Sequence, residues 1–181
     1  YTGPIIDMHL HAYTEGNLLF GATHPPTLRG ETFQGISSPE EQKIKTLEKM
    51  RKHNIVKAMV TAGHLWSSDA PETIMIGRTN KSMEELRKLH EEGRLEVIAE
   101  FEPFYEGKLA EGPSMLLYFE LAQELDSPIG FHILPGGPNN GFHLMPEMLE
   151  GMRSYNAKPT QIENVMVKYP KLKVYIMHGG W

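Results

Sequence analysis

An α/β fold built on a parallel sheet is what this sequence predicts, and three observations predict it. Runs of branched and apolar residues recur along the 181-residue chain, at 5–11, 55–62, 72–77, 95–101, 129–133 and 172–178. Most are separated by stretches with helical spacing and recognisable caps, and strands alternating with helices pair in parallel, because parallel neighbours need a crossover connection. The third observation is chemical: four of the six runs carry His or Glu at their C-terminal ends.

The first run is Ile5-Ile6-Asp7-Met8-His9-Leu10-His11. Side chains alternate across a strand, so Ile5, Asp7, His9 and His11 share one face and both imidazoles converge at the strand's end. Imidazole is a common ligand for zinc and related ions, but two histidines rarely hold a catalytic metal alone. A loop rich in Gly, Thr and Pro follows over 12–37, and long loops beside ligands usually line sites. Ser38-Pro39-Glu40-Glu41 then reads as a helix start, with Ser38 as N-cap, Pro39 at the first helical position and Glu41 closing a capping box. Ile44, Leu47 and Met50 form its expected buried stripe. Its end is expected near His53-Asn54, since Asn tolerates the left-handed cap conformation, and the second strand, 55–62, follows.

After a third strand at 72–77, residues 82–92 predict a helix with Ser82 and Glu85 as capping box, Leu86 and Leu89 inside and Gly93 as terminator. The fourth strand, 95–101, sets Glu100 on one face at its C-terminal end. A helix over 114–126 presents Leu117, Leu121 and Leu125 and stops before Pro128. The fifth strand carries His132. Residues 136–141 read as a loop and 146–155 as an inserted, Met-rich helical piece. Thr160 with Glu163 opens a last helix carrying Ile162, Val165, Met166 and Tyr169. Pro170 closes it, and 172–178 follows as a strand with Val174, Ile176 and His178 on one side.

Composition narrows the function classes. The formal charge of −5 gives no basic face for nucleic acid, and no apolar run approaches the roughly 18 residues that cross a bilayer. With no cysteine, thiolate sites and disulfides are excluded, leaving His, Asp and Glu as metal ligands. The chain opens on Tyr1, as expected after removal of a leader or tag or for an excerpt of a longer sequence, so the compartment stays open between cytoplasmic and exported.

Any one histidine is as easily a surface or satisfied core residue as a ligand. The argument lies in the joint placement of His9, His11, His132 and His178, among nine histidines, at equivalent strand ends, the edge that carries the active site in a βα barrel. Glu100 carries less, because Glu102 is close by and an exposed glutamate needs no explanation. His53 and His90 are explained by the helix dipole at C-terminal ends. His24 has no periodicity to place it, while His64 and His143 follow strands two and five directly and are candidates for a pocket wall. Met145, Met148 and Met152 have the spacing of core or of a flexible wall.

Asp7-Met8-His9-Leu10-His11 resembles the Asp-x-His-x-His signature of the amidohydrolase superfamily, in particular its amidohydrolase-related (amidohydrolase 2) branch. The resemblance extends to Val97-Ile98-Ala99-Glu100, to Gly130-Phe131-His132, and to Tyr175-Ile176-Met177-His178-Gly179-Gly180-Trp181. It implies a TIM-barrel-like (β/α)8 metal-dependent hydrolase fold. About six of eight repeats are present, so that 1–181 is one amidohydrolase-related domain, incomplete at its C-terminus. The family's strand-eight aspartate, a metal ligand and base, has no counterpart, for no acidic residue follows His178.

The implied ligands are His9, His11, Glu100, His132 and His178, holding a divalent ion, zinc in the first place with manganese or iron compatible. His132 and His178 also carry the implied catalytic roles, as ligands or as polar groups beside the ion. The implied reaction is hydrolysis of a small-molecule ester, lactone or amide-type bond by a metal-activated water. One alternative is a decarboxylase like the aminocarboxymuconate-semialdehyde decarboxylase members of the branch. Another is an inactive metal-binding fragment or pseudo-enzyme lacking the strand-eight aspartate. The expected partners are a small-molecule substrate and, through uncovered edge strands, further copies in a homo-oligomer.

Overall fold

The computed structural model describes residues 2–23, 29–79, 81–103, 107–133 and 158–180. The expected loop at 136–141, the Met-rich helix at 146–155, His24 and His143 lie outside them. The chain divides into two compact units, Tyr1–Met75 and Ile76–Trp181.

In the first unit, β1 (Ile5–His11) runs parallel to β2 (Ile55–Thr61), with Ile5 opposite Ile55 and His11 opposite Thr61. The register shifts between Asp7 and Leu10. In that interval the Asp7 carboxylate accepts the His9 N–H at 3.0 Å, a local bond of the kind that competes with the ladder.

Helix α1 (Pro39–Lys52) starts as expected, the Glu41 N–H donating to Ser38 Oγ at 3.2 Å. The capping box does not close on Ser38. Instead the Glu41 carboxylate takes the N–H and hydroxyl of Ser37 at 2.7 and 2.6 Å. The expected stripe is also corrected: Ile44 is 55% exposed, while Gln42 is buried with Met50 and Leu47 packs against the core. The helix ends at Lys52, and Asn54 takes the left-handed conformation (φ 55°) expected of it. Strand β2 stops at Thr61, Ala62 turns left-handed (φ 59°), and a short 3-10 turn, Gly63–Leu65, delivers Trp66 into a core with Met50, Ala58, Val60 and Ile74.

Strand β3 (Ile74–Arg78) begins in the first unit and continues in the second, where the strand order is β3-β4-β5-β6 and each neighbouring pair is parallel. Helix α2 (Met83–Glu91) carries the full Ser82–Glu85 capping box and buries Leu86 completely. β4 (Val97–Phe101) is buried at all five positions, as a parallel strand covered on both faces should be.

Helix α3 (Pro113–Glu124) begins one residue before the expected start and buries Met115, Phe119, Leu121 and Ala122; of the expected stripe Leu121 is buried and Leu125 packs against the core, while Leu117 is 51% exposed. The larger ring decides the rotation. Phe119 packs edge-on against Phe101 at 5.2 Å and beside Phe131 at 6.3 Å, burying more apolar area than a leucine at 117 would.

β5 (Ile129–Phe131) and β6 (Val174–Ile176) pair with Gly130 opposite Tyr175, both strands being shorter than the sequence suggests. The Tyr175 phenol crosses the space a Cβ at Gly130 would need. Its hydroxyl has no hydrogen-bond partner among the described residues, and burial pushes its pKa up. α4 (Gln161–Lys168) buries Ile162 and Val165, but Thr160 makes no side-chain cap, because its own backbone is already helical (φ −63°, ψ −16°). Leu86, Ile98, Phe119, Phe131 and Val165 centre the core of this unit.

Candidate metal centre

In the first unit the strand spacing does what the alternation implies. The Nε2 atoms of His9 and His11 stand 3.0 Å apart, with ring centroids at 4.9 Å. Two nitrogens bound to one ion at about 2.0–2.1 Å each lie about 3 Å apart, so this pair has the separation of two ligands on a single cation. The opposite face of the arrangement is aromatic: the Tyr13 ring stacks on His11 at 5.6 Å with 6° between planes, and burial raises the Tyr13 pKa. Tyr13 also lines a cleft of about 480 Å³ with Thr14, Pro39, Lys43, Leu65 and Trp66. His64, expected as a wall residue, is not among the residues lining it. Its neighbours Leu65 and Trp66 are.

The second unit gathers the other three candidates. Glu100, 5% exposed, is hydrogen-bonded through its carboxylate to His132 Nδ1, and His178 Nε2 lies 3.9 Å from the same carboxylate. The His132 and His178 rings are 4.4 Å apart, and one ligand atom from each of the three residues lies within 4.8 Å of the others. Backbone bonds fix this set: His132 N–H donates to Phe101 C=O at 2.9 Å, and Thr79 Oγ1 donates to Glu100 C=O at 2.8 Å. Glu102 adds a second carboxylate, 3.5 Å from His132 Nδ1.

Two expectations are corrected here. His178 is not on a strand: β6 ends at Ile176, and His178 sits in the 3-10 turn Met177–Gly180 with left-handed backbone (φ 56°). Alternation along 172–178 therefore does not orient it; the turn does. His132 likewise lies one residue past β5. His53 and His90 fall outside both sets, His53 as the C-cap of α1 and His90 with Nδ1 3.3 Å from Leu95 C=O.

Sequence reasoning missed Tyr13 beside His11 and gave Glu102, noted only for its closeness to Glu100, no place beside His132. It missed Gln42 entirely, whose side chain bonds the backbone on both sides of Ala12. A buried glutamine on a helix has no spacing signal. The donor chemistry, imidazole with carboxylate and no thiolate, fits a borderline or hard divalent cation.

No family model matches the sequence, and no curated protein matches it. Solved structures do. A 5-carboxyvanillate decarboxylase from Novosphingobium aromaticivorans, complexed with manganese and 4-hydroxy-3-methoxy-5-nitrobenzoic acid, matches at TM-score 0.64 and 13% identity, over 98% of this chain and 66% of that one. A 2,6-dihydroxybenzoate decarboxylase from Rhizobium matches at 0.61 and 12%, over 98% and 67%. A Staphylococcus aureus protein whose name places it among the amidohydrolases matches at 0.62 and 12%, over 98% and 68%. The chain thus spans about two thirds of the length of these structures and has their fold, the TIM-barrel-like α/β fold of amidohydrolase-type enzymes. Among the described residues no helix is long and apolar enough to cross a membrane.

Proposed function

We propose that residues 1–181 are the metal-binding domain of a metal-dependent enzyme, with His9 and His11 of the first unit and Glu100, His132 and His178 of the second as candidate ligands, and that it decarboxylates a small carboxylic acid. The observation that carries the metal reading is the 3.0 Å separation of the two Nε2 atoms at the end of β1. Support for decarboxylation comes from the named activities of the structures that share the fold, which act on aromatic acids.

A divalent ion supplies Lewis acidity toward a bound carboxylate or carbonyl oxygen and lowers the pKa of water. The chain's own part is to hold protons. Decarboxylation breaks a C–C bond, releases CO2 and leaves an electron pair on carbon that must take up one proton. A histidine whose Nδ1 is bonded to a carboxylate keeps a fixed ring orientation and is stabilised when protonated. Where it stands beside the ion and does not ligate it, His132 next to Glu100 is such a group, and His178 stands in ring contact with it.

Hydrolysis is the second reading, favoured by the Asp-x-His-x-His spacing and by the amidohydrolase among the structures of the same fold. There the same histidines would give the proton to the leaving group. The reactions separate by product. Protein reconstituted in turn with manganese and with zinc is incubated with hydroxylated benzoic acids and, separately, with lactones and amides. The expected result is CO2 in stoichiometric yield with the benzoic acids. Acid release from lactone or amide without CO2 moves the assignment to hydrolysis, and metal binding without either product overturns both in favour of a metal-binding protein without catalysis.

A further inference from the structure

Gln42 is 8% exposed, a polar side chain buried on α1 where an apolar one would be expected. Burying a carboxamide costs free energy unless both ends are bonded, and here both ends are. Its Nε2 donates to His11 C=O at 2.9 Å, and its Oε1 accepts Tyr13 N–H at 3.1 Å. The strand geometry explains the choice. Ala12 N–H donates to Thr61 C=O on β2, and successive residues of a strand turn their peptide groups to opposite sides, so His11 C=O and Tyr13 N–H face away from β2. Gln42 presents one donor and one acceptor there, as a peptide unit of a neighbouring strand would.

We infer that Gln42 is a positioning residue for the metal: its side-chain amide stands in for a strand neighbour and locks the backbone that carries His11, holding the His11 imidazole at ligand separation from His9. The inference rests on the reading of His9 and His11 as ligands. It adds that their geometry is set from α1 as well as from β1. The lock reaches Tyr13 as well, whose ring lies against the other side of His11.

Two substitutions separate positioning from mere stability. Gln42→Met keeps length and burial and loses both bonds. Gln42→Glu keeps the acceptor for Tyr13 N–H but turns an oxygen toward His11 C=O. Met50→Ala, at the other buried position of α1, serves as the control that weakens the same helix and its core while keeping both Gln42 hydrogen bonds.

Each is measured for apo-protein melting temperature, for Co²⁺ and Mn²⁺ dissociation constants, and for the visible spectrum of the Co²⁺ form, which reports ligand geometry. Expected are a loss of metal affinity of about 10-fold or more in both Gln42 variants, on the scale of groups that orient ligands, and a changed Co²⁺ spectrum. Met50→Ala lowers the melting temperature with affinity and spectrum kept. Should Gln42→Met not fold, Gln42→Glu decides. Unchanged affinity and spectrum in the folded Gln42 variants overturns the inference, as does an equal loss of affinity in Met50→Ala. His11→Ala run in parallel separates the two levels: if it retains full metal, the ligand reading fails, and if it loses metal while the Gln42 variants do not, only the positioning role falls.

Discussion

The two groups of candidate ligands are held in different ways. His9 and His11 are two residues apart on one strand, so the alternation of an extended backbone brings their rings together before anything packs. Glu100, His132 and His178 come from three segments separated by α3 and α4, and they meet only because β4, β5 and β6 are paired and covered by a core centred on Phe119 and Phe131. Local dihedral angles bring the first group together, with Gln42 holding it from α1, whereas tertiary packing alone assembles the second. Damage to the core around Phe119 should therefore reach the second group and spare the first, and substitutions can test that contrast.

The largest effect is expected at the local pair. His11→Ala should abolish most of the bound divalent metal, whereas His90→Ala, with Nδ1 turned to Leu95 C=O, should leave it unchanged. Elemental analysis of the purified variants decides, and equal metal in both breaks the assignment. Next in size is the packing that assembles the second group. Phe119, fully buried, should cost about 3–5 kcal/mol when replaced by alanine. Leu117→Ala on the exposed face of α3 should stay within about 0.5 kcal/mol. Denaturant titration of the apo-protein gives both values, and a similar cost at the two positions would mean that α3 is rotated from the orientation described.

Glu100→Gln sharpens the comparison at the level of charge. It keeps the shape but removes the carboxylate bonded to His132 Nδ1, and metal affinity should fall about 10–100-fold. Metal titration against the unaltered chain checks this; unchanged affinity would leave Glu100 with a packing role alone. The smallest effect belongs to α1. Lys45 and Ser37 hold the exposed Glu41 carboxyl down at about 2. A depressed folded-state pKa contributes stability that is present above the ordinary value of 4.5 and lost as pH falls through about 2. Glu41→Gln should accordingly lower stability at pH above 4.5 and flatten its loss between those pH values, so that the two proteins converge as pH falls towards 2, as thermal melts from neutrality through the acid range would show.

This contrast also explains what could be read from the sequence. β1 was legible to the residue, and so was the capping box of α2, because strand alternation and the Ser-x-x-Glu spacing are local rules. The N-terminal part of α3's buried face was not, since Leu117 continues the spacing of Leu121 and Leu125, and only the rings of Phe101 and Phe131 select Phe119 in its place. His178 was assigned to the right strand end for the wrong reason: its position comes from a left-handed backbone in a 3-10 turn, which alternation does not describe. Gln42 was invisible because its partners are backbone atoms 31 and 29 residues earlier in the chain, contacts that leave no trace in local spacing.

The crossing of Gly130 by Tyr175 bears on how this sequence can change over time. Any side chain at 130 collides with the phenol, so the two positions cannot vary independently. A mutational path must shorten residue 175 first, with the flexible end of Met177, which also reaches into that space, swinging aside, and fill 130 second, because the reverse order passes through an intermediate that does not pack. Close relatives of this chain should therefore show glycine at 130 wherever an aromatic residue stands at 175, and a larger residue at 130 only where 175 is small.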